Sequence, residues 1–130
     1  MIQGLGTDII DIRRIKKVLE KYNEKFKHKC FHKQEIVRSE SKYNKVESYA
    51  KRYAAKEACA KALGTGLAKG VFWKDIEVRN NSNGKPYIRL HNNASKYLEK
   101  NFNKNAKIEL SLSDEKEFAI ANVIIFNETT

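Results

Sequence analysis

Three charged residues stand where the pattern of the chain calls for apolar ones. In NKVESYAKRYAAKEACAKAL, the residues Val46, Tyr49, Ala50, Tyr53, Ala54 and Ala60 share one face at about 100° per residue. Glu57 projects into the middle of that stripe, with Lys61 close beside it. On an exposed face the two are an ordinary i, i+4 pair contributing only ~0.2–0.5 kcal/mol. On an inward face an isolated carboxylate is too costly to desolvate unless it is paired or holds a metal. Asp8 is a second anomaly, a carboxylate in the Ile-rich segment IQGLGTDII. Gly4 and Gly6 before it let another backbone or a ligand come close, and the alternative role for Asp8 is a turn or helix entry. If Asp8 and Glu57 meet, they offer the sparse oxygen coordination of Mg²⁺, an ion that keeps several waters and shares phosphate oxygens with a substrate. Lys61 then balances charge on the phosphate side. Spacing along the chain does not decide whether they meet.

The elements that must position these residues are legible in outline. IQGLGTDII reads as a strand. From Asp11, a candidate N-cap, Ile12, Ile15, Leu19, Tyr22 and Phe26 recur at helical spacing, with Arg13, Arg14, Lys16, Lys17 and Lys21 off the stripe. This predicts one amphipathic helix with a basic outer face. A longer helix is predicted over 44–63, Ala-rich, free of Gly and Pro, and stopped by Gly64. DIEVRN and KPYIRL read as strands joined by the turn NNSNG, ASKYLEKNF as a short helix, and IELSLS and FAIANVIIF as an antiparallel pair joined by DEKE. The order predicts an α+β fold, a mostly antiparallel sheet packed on the long helix.

Composition bounds the function. The 130 residues make one domain, 41% hydrophobic and 32% charged, as soluble globular chains are. The longest apolar stretch, AIANVII, falls short of the ~20 residues a spanning helix needs. The start MIQGLGTDII lacks a basic n-region followed by a long apolar run, so a cytoplasmic location and no membrane association are expected. Cys30 and Cys59 have no CxxC spacing, which points to inert free thiols. The net charge of +10 favours an anionic partner without choosing among nucleic acid, acidic membrane, acidic protein and polyphosphate ligand.

Four blocks then resemble one family. GLGTDIIDIRRI and RYAAKEACAKALGTG are similar to the two signatures of the bacterial holo-acyl-carrier-protein synthase family of 4′-phosphopantetheinyl transferases. WKDIEV with NGKPYI, and the terminal SLSDEKEFAIANVII, resemble its remaining blocks in the same order, over almost the whole chain. The resemblance implies transfer of 4′-phosphopantetheine from coenzyme A to a serine of an acidic acyl carrier protein, in support of fatty acid biosynthesis, by a homotrimer with active sites at its subunit interfaces. It implies that Asp8 and Glu57 bind magnesium and that Lys61 contacts phosphate. Gly64, Thr65 and Gly66 match the loop beside the coenzyme, Lys85 and Pro86 the part of the pocket holding its nucleotide end, and Arg14 an arginine that contacts the carrier. Tyr53 stands where phenylalanine is commoner. Asp114 stands where the family commonly has histidine, and an ionised aspartate accepts hydrogen bonds only, so it is expected to cap the DEKE turn rather than to bind phosphate.

The expected chemistry follows from the diphosphate of coenzyme A, whose transfer is catalysed mainly by positioning and charge neutralisation. Glu57 is the candidate acceptor of the serine proton, and Lys61 the residue that stabilises charge on the departing adenosine 3′,5′-bisphosphate. A basic nucleic-acid-binding module is the rival reading, supported by the row Arg13, Arg14, Lys16, Lys17. It leaves Glu57 unexplained, so no nucleic acid is expected as partner. A scaffold that holds a carrier protein without turnover is the third reading.

Overall fold

Strand β1 (Ile2–Asp11) runs directly into helix α1 (Ile12–Tyr22), and Asp11 makes the junction. Its carboxylate accepts from the Arg13 backbone N–H at 2.9 Å, the N-cap the sequence predicts. In this computed structural model, which describes residues 1–128, the basic helix is shorter than its apolar stripe. Asn23 takes φ 39 and ends α1, and a second helix α2 (Glu24–Cys30) begins after it. Asparagine tolerates positive φ, so the stripe breaks without the cost a branched residue would carry. Phe26 therefore belongs to α2, where it packs edge-on against Phe31 at 5.7 Å. Helix α3 (Lys33–Glu40) follows, an element the periodicity of the sequence does not announce.

Helix α4 (Lys45–Leu63) occupies the span expected for the long helix and ends at Gly64, which adopts φ 86 and donates its N–H to Ala60 O and Lys61 O. A 3₁₀ turn (Trp73–Asp75) leads into strands β2 (Ile76–Asn80) and β3 (Pro86–Leu90), then helix α5 (Asn92–Asn101) and strands β4 (Lys107–Glu115) and β5 (Phe118–Phe126). Two sheets result rather than one. A three-stranded antiparallel sheet has the order β1-β5-β4, and β2-β3 is a separate hairpin. The β4–β5 turn is also tighter than DEKE suggests. Only Lys116 and Glu117 make it, so Asp114 lies within β4, opposite Ala119, and caps nothing.

The two early glycines are explained by the approach of α4 to β1. A Cβ on Gly6 would lie 1.8 Å from Ala58 O, and one on Gly4 would lie 2.3 Å from Ala62 O. Both obstacles are helix backbone and cannot swing aside, so glycine is required for β1 to touch α4. Of the two occupants that the glycines admit, a backbone and a ligand, it is the backbone that comes close. Ala54, Ala55, Ala58, Ala60 and Ala62 keep α4 slim on every side, and all are buried. Ala119, Ala121, Val123 and Ile125 of β5 close the core beneath it, with Ile10, Ile15, Phe31 and Ile76 around the rim. Each fully buried large side chain there contributes about 1.5–3 kcal/mol. Among the described residues no helix is long and apolar enough to cross a membrane.

Candidate active site

On β1, the even positions Gly4, Gly6, Asp8 and Ile10 face α4, while Leu5, Thr7 and Ile9 face outward. That alternation turns Asp8 toward the helix, near its C-terminal end where Gly6 lets the two backbones touch. Lys61 reaches across from the last turn of α4. Its Nζ donates to Thr7 O at 2.9 Å and to Asp8 Oδ1 at 3.1 Å. The Asp8 side chain is 16% exposed and that of Lys61 is 52% exposed, so the pair sits at a rim, with the ammonium toward water.

Glu57 lies one turn earlier on the same helix face as Lys61. It is half-buried rather than inside the core, and among the described residues no hydrogen bond or ion pair reaches it. Burial raises its carboxyl above the ordinary value, and the negative charge of Asp8 raises it further, while Lys61 and Arg14 work in the opposite direction. Asp8 and Lys61 are in contact, and Glu57 and Arg14 lie near enough to feel the same charges. Two carboxylates that repel each other, one with no protein donor and the other meeting only Lys61, form a donor set suited to a hard, oxygen-preferring cation. These residues fit Mg²⁺.

Tyr53 is the neighbour of this cluster on the helix side. Its phenol is pushed up to about 12 by burial first and then by Glu57, with Arg14 opposing. The ring stacks on Trp73 at 4.3 Å and lies 5.8 Å from Phe26. Together with Arg14, Val18 and Lys29 these rings line a groove of about 340 Å³ between α1, α2 and the 3₁₀ turn. The sequence reading missed this aromatic wall. Its signal was Trp73, the single tryptophan of the chain, directly before the KDIEV block.

Gly64 and Gly66, with φ 86 and 59, have open space where a Cβ would stand. Their N–H groups are nevertheless spent internally, both donating to Ala60 O at 3.1 Å. The loop can admit an anion but cannot cradle one with those amides, which leaves the attraction to Lys61 and a cation. Lys85 and Pro86 are not brought to this cluster. Lys85 Nζ pairs with Glu109 at 3.2 Å, and Pro86 lines a different hollow with Arg38, Lys51 and Arg52. Asp114 is equally remote in its bonding. It pairs with Lys51 at 3.2 Å, and the interaction of its carboxylate with the neighbouring Glu47 holds Asp114 below and Glu47 above the ordinary carboxyl value.

Comparison with known proteins identifies the family. A model of the 4′-phosphopantetheinyl transferase superfamily matches residues 4–123. A holo-[acyl-carrier-protein] synthase of Agrobacterium fabrum is 50% identical over 127 residues, which is 96% of this chain and 95% of that protein. The crystal structure of holo-[acyl-carrier-protein] synthase from Neisseria meningitidis superposes with a TM-score of 0.88 at 34% identity, covering 98% of this chain and all of that one. The Helicobacter pylori holo-[acyl-carrier-protein] synthase, solved in complex with coenzyme A, gives a TM-score of 0.81 at 32% identity, covering 94% of this chain and 99% of that one.

Proposed function

The chain belongs to the 4′-phosphopantetheinyl transferase superfamily, and on that premise we propose that it is a holo-acyl-carrier-protein synthase. It transfers 4′-phosphopantetheine from coenzyme A to a serine of an apo acyl carrier protein and releases adenosine 3′,5′-bisphosphate, in support of fatty acid biosynthesis. The observation that carries the reading within this chain is the unpartnered Glu57 carboxylate beside Asp8 and Lys61.

Asp8 and Glu57 are the residues to hold Mg²⁺. Bound there, the ion would neutralise the diphosphate and polarise its oxygens. Lys61, already aimed by Thr7 O and Asp8, presents its ammonium to the phosphate of the departing bisphosphate. The serine oxygen forms a bond to the β-phosphorus as the bond to the bridging oxygen breaks, and the serine proton leaves to a carboxylate. Glu57 is the candidate acceptor, directly or through an intervening water. The open surface at Gly64 admits the diphosphate, and the basic side of α1, anchored by Arg14, docks the acidic carrier.

A homotrimer with sites between subunits completes the proposal, and two features support it. The outer face of the three-stranded sheet carries an uncovered apolar patch on β1 and β5, with Leu5 66% and Ile9 61% exposed opposite Ile124 and Ile120. Lys85 and Pro86, the residues for the nucleotide end, bond away from the Asp8–Glu57–Lys61 cluster of their own chain. A neighbouring copy can supply them. Light scattering tests the assembly, with Leu5→Asp expected to yield monomers of low activity.

The reaction is tested by incubating the protein with coenzyme A, Mg²⁺ and an apo acyl carrier protein and weighing the carrier by mass spectrometry. A mass gain equal to one phosphopantetheine, dependent on Mg²⁺, is expected. An unmodified carrier with a folded enzyme overturns the reading.

A further inference from the structure

On the side of the molecule built by the 3₁₀ turn, the β2-β3 hairpin and the starts of two helices, three ligand-type side chains converge. His32 precedes α3 as its N-cap residue, His91 precedes α5, and Glu77 lies within β2 between them. One ring nitrogen from each histidine and one Glu77 oxygen all lie within 4.8 Å of one another. Ligands held at ~2.0–2.2 Å around a tetrahedral ion stand roughly 3.3–3.6 Å apart, so small side-chain rotations close the set. The two rings already face each other, with centroids 4.7 Å apart and 38° between planes. The Glu77 side chain is only 7% exposed and that of His91 is 28% exposed, so the cluster is largely shielded yet open to solvent on the His91 side.

The bonding of the rings is that of ligands held ready. His32 Nε2 lies 2.5 Å from Lys74 O, a pure acceptor, so that nitrogen carries a proton and in the neutral ring Nδ1 keeps its lone pair. A backbone carbonyl on the far nitrogen is the partner that commonly orients a metal-bound histidine. His91 Nε2 lies 2.7 Å from Glu77 Oε1, with the proton between them in the position a cation would take. Arg79 approaches the other oxygen, Oε2, only to 3.7 Å, so Oε1 is not committed to it. None of these residues belongs to the Asp8–Glu57–Lys61 cluster.

We propose that His32, Glu77 and His91 form a second metal site, for a nitrogen-preferring divalent transition ion of the zinc class, which ties the starts of α3 and α5 to strand β2. Two imidazoles and one carboxylate with an open position are a zinc-type donor set, and a poor one for Mg²⁺, which takes oxygen. The ion is structural. It clamps the hairpin side of the fold and takes no part in transfer.

The test uses the full-length protein, stripped with chelator and held in excess Mg²⁺ so that the oxygen site is saturated. Zinc is titrated against a competing chromophoric chelator. One Zn²⁺ per chain is expected, with His32→Ala and His91→Ala each weakening binding by more than about tenfold, the lower bound of what second-shell changes alone produce. Asp8→Ala and His28→Ala should bind as the parent does. Zinc that does not bind saturably, that survives the double variant His32→Ala/His91→Ala, or that is lost with Asp8→Ala overturns the site. Because either histidine variant can disturb a helix start, the unmutated protein is also read by imidazole NMR. The chain has three histidines, and zinc should move the ring signals of His32 and His91 and leave those of His28 in place. Shifts at His28 alone, or at none of the three, reject the proposal.

Discussion

Lys56 and Glu57 are consecutive on α4, and their charges meet opposite fates. Lys56 is fully buried, and its three donors find three acceptors: Glu35 Oε1 at 2.9 Å, Trp73 O at 3.2 Å and Ile76 O at 2.5 Å. Glu35 is completed by the backbone N–H of His32 at 2.9 Å and of Val78 at 3.1 Å, and Arg52 donates to Val78 O and to Asn80. Burial lowers the pKa of Lys56, and Glu35 works against that fall. Glu57, about 100° further round the helix, is half-exposed and has no such partners. The first region is saturated and organises the fold. The second is left incomplete, and incompleteness is what a ligand can use.

The comparison breaks most visibly if the buried ammonium can be removed cheaply. Lys56→Met strands Glu35 in the core and should cost about 3–5 kcal/mol in urea unfolding, while transfer per folded molecule stays near the parental rate. A loss under about 1 kcal/mol would put Lys56 in the same class as a surface lysine. At the other pole, Glu57→Ala and Asp8→Ala should each lower the transfer rate by about 10²–10³-fold with the unfolding midpoint intact, and excess Mg²⁺ should partly restore Asp8→Asn. Near-parental rates at low Mg²⁺ would remove the metal assignment. Next in size is docking. Arg14→Ala should raise the KM for the carrier by about tenfold, or ~1.4 kcal/mol, and leave that for coenzyme A unchanged, with Arg14→Lys intermediate and the difference shrinking at high salt. A change confined to coenzyme A would move the carrier surface elsewhere.

A smaller effect concerns stability and pH. The folded Glu57 carboxyl titrates above its ordinary value of 4.5, so the folded state holds that proton more tightly than the unfolded chain. Its contribution therefore becomes unfavourable as pH rises from 4.5 through the raised value, and Glu57→Gln, which cannot ionise, lacks that fall. Without Mg²⁺, the glutamine variant should melt slightly above the parent at pH 7 and level with it in acid. An equal difference at both pH values would separate the stability change from ionisation. The smallest effect is assigned to Asp114→Ala, which loses one partly exposed pair with Lys51 and should shift stability by less than about 1 kcal/mol with transfer unchanged.

The chemistry-bearing residues were legible because each breaks a local rule: Asp8 in an Ile-rich strand, and Glu57 and Lys61 beside an apolar stripe. The depth of Glu57 was not legible. A helical projection assumes one inward face, whereas α4 has β1 and β5 on one side and α1, α3 and β2 on others, so burial runs nearly all the way round. For the same reason Lys56 and Arg52, which the projection left off the core, are its buried charges. The break at Asn23 and helix α3 also escaped, since an asparagine at positive φ leaves the apolar spacing intact and the polar run KQEIVRSE carries little of it.

Local energetics determined the strand at the start, the Asp11 cap, the long alanine-rich helix with its Gly64 stop, and the paired strands at the end, because each depends on neighbours within a few residues. Only the tertiary structure decided that Asp8 would meet Lys61 and feel the charge of Glu57. Their meeting depends on β1 lying against α4 closely enough for Gly6 to exclude even one methyl group, and on a strand register that turns Asp8 rather than Thr7 toward the helix. Both are relations between segments about fifty residues apart, and an electrostatic cluster exists only where distance in space, not along the chain, is short.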